Sequence, residues 1–180
     1  MKFVKIIFIP GNGGGNPTKD HWFPYVKEIF EKQGIEVISK PFPDSFLARQ
    51  RIWLPYIEKL GADENTILIG HSSGAIAALR YAEKSKILGS VLVSGYHTDL
   101  HHPLEIASGY FRKPWQWDAI RRNQQFIIQF NSSDDDFIPI EEARFVHEKL
   151  DSDYTEFSDR GHFFQNTFPE IIEKVIHHTT

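Results

Sequence analysis

The pentapeptide Gly70-His71-Ser72-Ser73-Gly74 is the stretch of this chain best suited to chemistry. A G-x-S-x-G pattern recurs by chance, so its flanks carry the argument: a β-branched run, Thr66–Ile69, enters it and an alanine-rich stretch leaves it. That is the layout of a nucleophile elbow, a tight strand-to-helix turn that lifts one hydroxyl above the end of a sheet. Ser72 takes the central position, because Ser73 has His71 and Ala75 two residues away rather than glycines. A Cβ at position 70 or 74 is expected to strike the neighbouring helix or strand in so sharp a turn. The competing reading is a plain Gly/Ser turn before a helix.

A serine hydroxyl is a weak nucleophile until a base takes its proton, and the base needs a third group to orient it. On this layout the acid and then the base come later in the chain, each after a strand. Asp134, Asp135 and Asp136 follow the apolar run Phe126–Phe130, and spacing alone leaves the choice among them open. One of the three is equally suited to capping the helix that follows. His162 lies in a loop opened by Gly161, after Tyr154–Phe157. Alone it reads as a loop histidine; in the order Ser, Asp, His it reads as the base. The oxyanion hole is expected from the backbone N–H of Ser73 and from Asn12 or Gly13 in the run Gly11–Gly15.

That glycine run lacks the Lys-Ser/Thr ending of a triphosphate loop and the G-x-G-x-x-G spacing of a dinucleotide loop. No cofactor is expected. His97, His101 and His102 with Asp99 lack the helical spacing of a metal site, so no metal is expected either. Residues 97–114 form the longest stretch without periodicity and follow a strand, where open α/β folds place ligand loops. Trp115 and Trp117 beside it, with His71 and Phe163, are candidates for the wall of an acyl or leaving-group pocket. Core filling is an equal reading for the tryptophans.

The elements needed to position these groups are legible as alternation. Val4–Ile9, Ile35–Ser39, Thr66–Ile69, Leu88–Val93, Phe126–Phe130 and Tyr154–Phe157 read as six strands. Between them lie amphipathic stretches at Trp22–Lys32, Ala48–Leu60, Gly74–Lys84 and Ile140–Leu150, and a last one carries Phe168, Ile171, Ile172, Val175 and Ile176. Pro55 inside the second implies a kink or a late helix start. Strands apolar on both faces that alternate with helices argue a largely parallel sheet covered on two sides. The 180 residues fit one domain, 1–180, with no internal repeat or dividing linker.

Composition narrows the classes. At 41% hydrophobic and 24% charged residues, the chain is neither disordered nor fibrous. Absence of cysteine excludes disulfides, zinc–thiolate sites and a cysteine nucleophile. A net charge of −4 disfavours a nucleic-acid partner. Val4–Ile9 is soon stopped by Pro10 and glycines, and no run approaches the roughly 20 apolar residues of a membrane span. A soluble, cytoplasmic protein without a membrane span is expected.

The chain resembles, nearly end to end, the family of small serine hydrolases named for retinoblastoma-binding protein 9. The likeness rests on residues 10–15 (PGNGGG), 69–78 (IGHSSGAIAA), 107–111 (ASGYF) and 114–117 (PWQW), on Phe137-Ile138-Pro139, and on Gly161-His162-Phe163. It implies a compact α/β-hydrolase without a large lid domain, with Ser72 as nucleophile, His162 as base and Asp135, four residues before Pro139, as the acid. It also implies hydrolysis of small carboxylic esters, amino-acid esters among them, through an acyl-enzyme. The family's name-giving partner is bound through an L-x-C-x-E motif, and here that stretch reads Leu60-Gly61-Ala62-Asp63-Glu64. With Ala62 in place of the cysteine, binding to the retinoblastoma pocket is not expected. A thioesterase or small peptidase with the same triad, and a protein-interaction module with a vestigial site, are the alternatives to an esterase.

Overall fold

A computed structural model of the chain describes residues 3–180. Six strands, β1 (Lys5–Ile9), β2 (Glu36–Ile38), β3 (Thr66–His71), β4 (Gly89–Val93), β5 (Phe126–Ser132) and β6 (Asp153–Phe157), form one sheet in the order β2-β1-β3-β4-β5-β6. All five pairings are parallel. Strand residues alternate between two apolar layers, as the two-residue period of a strand requires. Ile7, Ile9, Leu68 and Leu92 pack on one face with helices α2 (Gln50–Lys59), α3 (Ser73–Ala82) and α6 (Ile140–Leu150). Ile6, Phe8, Ile67, Ile69, Val91 and Val93 pack on the other with α1 (Phe23–Lys32) and α7 (Pro169–Thr179). This is the expected α/β-hydrolase sheet, helix-covered on both faces and without a lid domain.

Two short helices, α4 (Pro103–Ser108) and α5 (Trp117–Arg122), lie in the connection between β4 and β5 where only an irregular stretch is expected from sequence. Six residues are less than two turns, too few for an apolar stripe to repeat. Helix α2 begins at Gln50 and runs through Pro55, so the proline does not delay its start. Every residue of α3 is buried, not only its alanine face. A helix enclosed on all sides needs small side chains to approach the sheet closely.

The β4–β5 connection is held near its start and at its middle by buried charge. Arg80 on α3 donates to the carbonyls of Tyr110, Lys113 and Pro114, pairs with Glu83, and lies 3.7 Å from the centroid of the Trp115 ring. Near its start, Glu142 on α6 accepts hydrogen bonds from the backbone N–H groups of His97 and Thr98 and from the Thr98 hydroxyl. Burial alone would raise the Glu142 carboxyl, but the His97 ring, the Thr98 hydroxyl and the His97 amide bring its pKa down to about 2. A carboxyl held below its unfolded value stabilises the fold above that value and loses the contribution as pH falls toward 2. Glu142→Gln is therefore expected to lower unfolding free energy by about 2 kcal/mol at pH 7. Urea unfolding across pH 2 to 7 checks this, with the gap between wild type and variant closing below about pH 4.

Candidate active site

The strand order reverses between β1 and β3, which opens a crevice at their carboxyl ends where open α/β sheets bind ligands. Ser72 joins β3 to α3 at φ 55° and ψ −119°, a region that side-chain-bearing residues rarely enter. The two flanking glycines make the turn possible. A Cβ on Gly70 would stand 2.3 Å from Gly74 O, and one on Gly74 would stand 2.2 Å from Ile9 O. The expected clashes with helix and strand are both present.

On the far side of the crevice, His162 Nδ1 lies 2.8 Å from Asp135 Oδ2 and 3.0 Å from Oδ1. The carboxylate is nearly fully covered, with 1% side-chain exposure. Its Oδ1 accepts from the N–H groups of Phe137 (2.8 Å) and Ile138 (3.1 Å), and its Oδ2 from the Ser94 hydroxyl (3.1 Å). Asp134 instead accepts from Gly161 N (2.9 Å) and the Ser132 hydroxyl, which pins the loop that carries His162. Neither Asp134, Asp135 nor Asp136 caps α6, whose N-cap is Pro139. Among the described residues no hydrogen bond joins His162 to Ser72 Oγ; bonds of this kind commonly close only around bound substrate.

His71, just before the elbow, has its Nε2 2.7 Å from His162 O. A carbonyl can only accept, so the ring carries its hydrogen on Nε2 and donates. Burial first, and the neighbouring His162 second, push its pKa well below the usual value, so it stays neutral. The contact ties the elbow to the histidine loop.

Ser72 and His162 border one cavity of 430 Å³, together with Gly11, Asn12, His21, His71, Leu104, Glu105, Phe137, Ile138 and Phe164. That volume lies within the ~300–1,000 Å³ of small-molecule sites. Phe137 and Phe164, both largely exposed, stand 4.8 and 5.2 Å from the His162 ring. The N–H of Ser73 opens α3 and has no intrahelical acceptor. The Asn12 N–H likewise meets no acceptor among the described residues.

Four sequence expectations need correction. Gly13 N–H is 2.9 Å from Phe46 O and already bonded to it, so it is not free to meet an oxyanion. Trp115 lies outside the cavity, sandwiched between Arg80 and the Trp117 ring, and donates its indole N–H to His97 O at 2.9 Å. Trp117, at the start of α5, also lies outside it and borders a separate groove with Trp115. Phe163 is fully buried in the layer beneath α7, and Phe164 faces the cavity in its place. Sequence reading also missed Ser94, Glu105 and Phe137. The signal for Ser94 was its place immediately after β4, at the carboxyl edge where such sheets gather their site residues.

None of the helices among the described residues is long and apolar enough to cross a membrane. A model of the serine hydrolase family matches residues 6–172. The chain is 47% identical over 174 residues to the serine hydrolase RBBP9 of Rattus norvegicus, covering 96% of this chain and 94% of that one. Among solved structures, the ydeN gene product of B. subtilis has a TM-score of 0.87 at 22% identity, over 97% of this chain and 98% of that chain. A carboxylesterase structure from Nitrososphaera gargenis has a TM-score of 0.73 at 14% identity, over 98% and 89% of the two chains. At those identities the two structures speak for the fold alone. The chain belongs to the serine hydrolase family, as a hydrolase built on the α/β-hydrolase fold.

Proposed function

We propose that the protein hydrolyses small carboxylic esters, amino-acid esters among them, by acyl transfer through Ser72, His162 and Asp135. The observation that carries this reading is the 2.8 Å contact of His162 Nδ1 with Asp135, on the wall of the cavity that also holds Ser72 at its strained turn. Asp135 accepts a hydrogen bond from the Nδ1–H, which keeps the proton on Nδ1 and leaves Nε2 as the lone-pair nitrogen. Nε2 takes the Ser72 proton as Oγ bonds to the ester carbonyl carbon. The carbonyl oxygen becomes an oxyanion between the N–H groups of Ser73 and Asn12. The imidazolium then returns its proton to the departing alkoxide, leaving an acyl-Ser72 ester. Water, deprotonated by the same nitrogen, releases the carboxylic acid and restores the hydroxyl. Ala62 in place of the motif cysteine argues against retinoblastoma-pocket binding in this chain.

A fluorophosphonate probe tests the reading. Wild type should gain one adduct by intact mass, mapped to Ser72, and Ser72→Ala should gain none. An unlabelled but folded wild type, or an adduct that survives Ser72→Ala, overturns it. Turnover of matched ester, thioester and anilide substrates then separates an esterase from a thioesterase or a peptidase.

A further inference from the structure

Two carboxylates on the cavity wall take no part in the chemistry above. Asp20 is engaged locally, accepting from the Asn16 N–H at 2.6 Å. Glu105, on α4, is different: it is 7% exposed and reaches two loops distant from each other in sequence. Its Oε1 accepts from Asn12 Nδ2 at 2.7 Å, and its Oε2 accepts from the Tyr96 hydroxyl at 2.7 Å. Tyr96 in turn lies 3.3 Å from Ser73 Oγ, and both residues are fully buried.

The direction of these bonds follows from the carboxylate. Tyr96 gives its only proton to Glu105, so its oxygen is free to accept from Ser73. The result is a chain from Ser73 to Tyr96 to Glu105, with Asn12 donating from the other side. Such chains strengthen one another in a dry interior. The two ends are the residues whose backbone N–H groups flank the oxyanion in the mechanism above. We propose that Glu105 is a positioning residue of the oxyanion hole, clamping the loop after β1 to the start of α3 so that the Asn12 and Ser73 amides face one point.

The rest of the loop supports this. The N–H groups of Gly13 and Gly14 bond to Phe46 and Ser45, which fixes the chain just after Asn12. Glu105 fixes Asn12 itself. Without it, the peptide that carries the Asn12 N–H sits in a glycine-rich turn with no side-chain tether. Burial lifts the Glu105 carboxyl above its usual range, while the bonds from Tyr96 and Asn12 oppose the lift. The network is thus what makes a carboxylate tolerable at this depth.

The inference rests on the Ser72 reading, and the experiment separates the two. Wild type, Glu105→Ala, Glu105→Gln, Asn12→Ala and the Asn12→Ala/Glu105→Ala double variant are assayed for kcat and KM on p-nitrophenyl acetate, beside fluorophosphonate labelling. Glu105→Ala should lose about 100-fold in kcat with KM within about twofold, the size of one displaced oxyanion donor. Asn12→Ala should lose a similar factor, and the double variant no more than either, because both cut one tether. Glu105→Gln should recover to within about fivefold of wild type, its amide oxygen accepting from Asn12 and its NH₂ donating to Tyr96. Should Glu105→Ala not fold, Asn12→Ala decides on the same kcat criterion. A folded variant at wild-type kcat, a loss confined to KM, or losses that multiply in the double variant would overturn the clamp while leaving Ser72 as nucleophile. A wild type that takes no adduct overturns both.

Discussion

Replacing Asp135 with asparagine is expected to lower kcat about 10⁴-fold with KM little changed, because the variant holds His162 in the wrong tautomer. The tautomer is set by which way the new amide points. In the wild type, Oδ1 accepts from the Phe137 and Ile138 N–H groups, and an NH₂ there would face two donors. The asparagine oxygen must therefore take the Oδ1 position, which places the NH₂ where Oδ2 stood. There it points at His162 Nδ1, 2.8 Å from Oδ2 in the wild type. The Ser94 hydroxyl, which donates to Oδ2, can rotate and accept instead, so nothing else resists this orientation. A donor on the shorter of the two contacts, 2.8 Å against 3.0 Å to Oδ1, favours the imidazole proton on Nε2, and in that tautomer the nitrogen cannot take a proton from Ser72. Steady-state kinetics on a small ester, with Asp136→Asn as a neighbouring control, measure the effect. A loss below about tenfold would remove Asp135 from the mechanism, and an equal loss in Asp136→Asn would point to a general charge effect.

The same residue shows where sequence reasoning stops. Three consecutive aspartates follow β5, and any of them satisfies an acid after a strand. What separates them is a turn in which Asp135 folds back on Phe137 and Ile138 while Asp134 reaches the Gly161 amide. Those are contacts over three residues in one case and 27 in the other, and neither has a periodic signature. Strands and long helices were legible because burial on two faces writes itself into every second or every third to fourth residue. Helices α4 and α5 were not, since six residues each fall short of the two turns over which an apolar stripe repeats.

Side-chain direction was the other blind spot. Phe163 and Phe164 are adjacent and alike, and only the backbone decides which one faces the cavity. Phe163 sits at φ 58°, so the chain reverses at that point and sends its ring into the layer beneath α7. Phe164 is left against His21 and His162 at the cavity mouth. Trp115 turns away from the cavity for a related reason. Its partner is Arg80, 35 positions earlier, a charged residue on a helix whose pattern suggested only small apolar packing. The Ser72 elbow escaped these ambiguities because its geometry is so tight that it dictates residue type at both flanks.

That tightness leads to the second large effect: Gly74→Ala is expected to cost about 3 kcal/mol of stability, near the upper end of the range for overpacking. The added methyl carbon would lie 2.2 Å from Ile9 O, 2.5 Å from Pro10 O and 2.7 Å from Ile9 C. All three are backbone atoms at the end of β1, a strand paired on both sides and so unable to yield alone. Relief requires moving α3 away from β1, which also separates the Ser73 amide from the loop that carries Asn12. Stability and kcat should therefore fall together, with a melting temperature lower by about 6–12 °C. Gly13→Ala is the informative contrast. Its Cβ would meet nothing within 4 Å, and only its φ of +72° is unfavourable, so about 1 kcal/mol is expected. Thermal melts of the two variants beside wild type check the ordering. Equal losses would mean that positive φ, and not the contact between elbow and first strand, sets the tolerance of these turns to substitution.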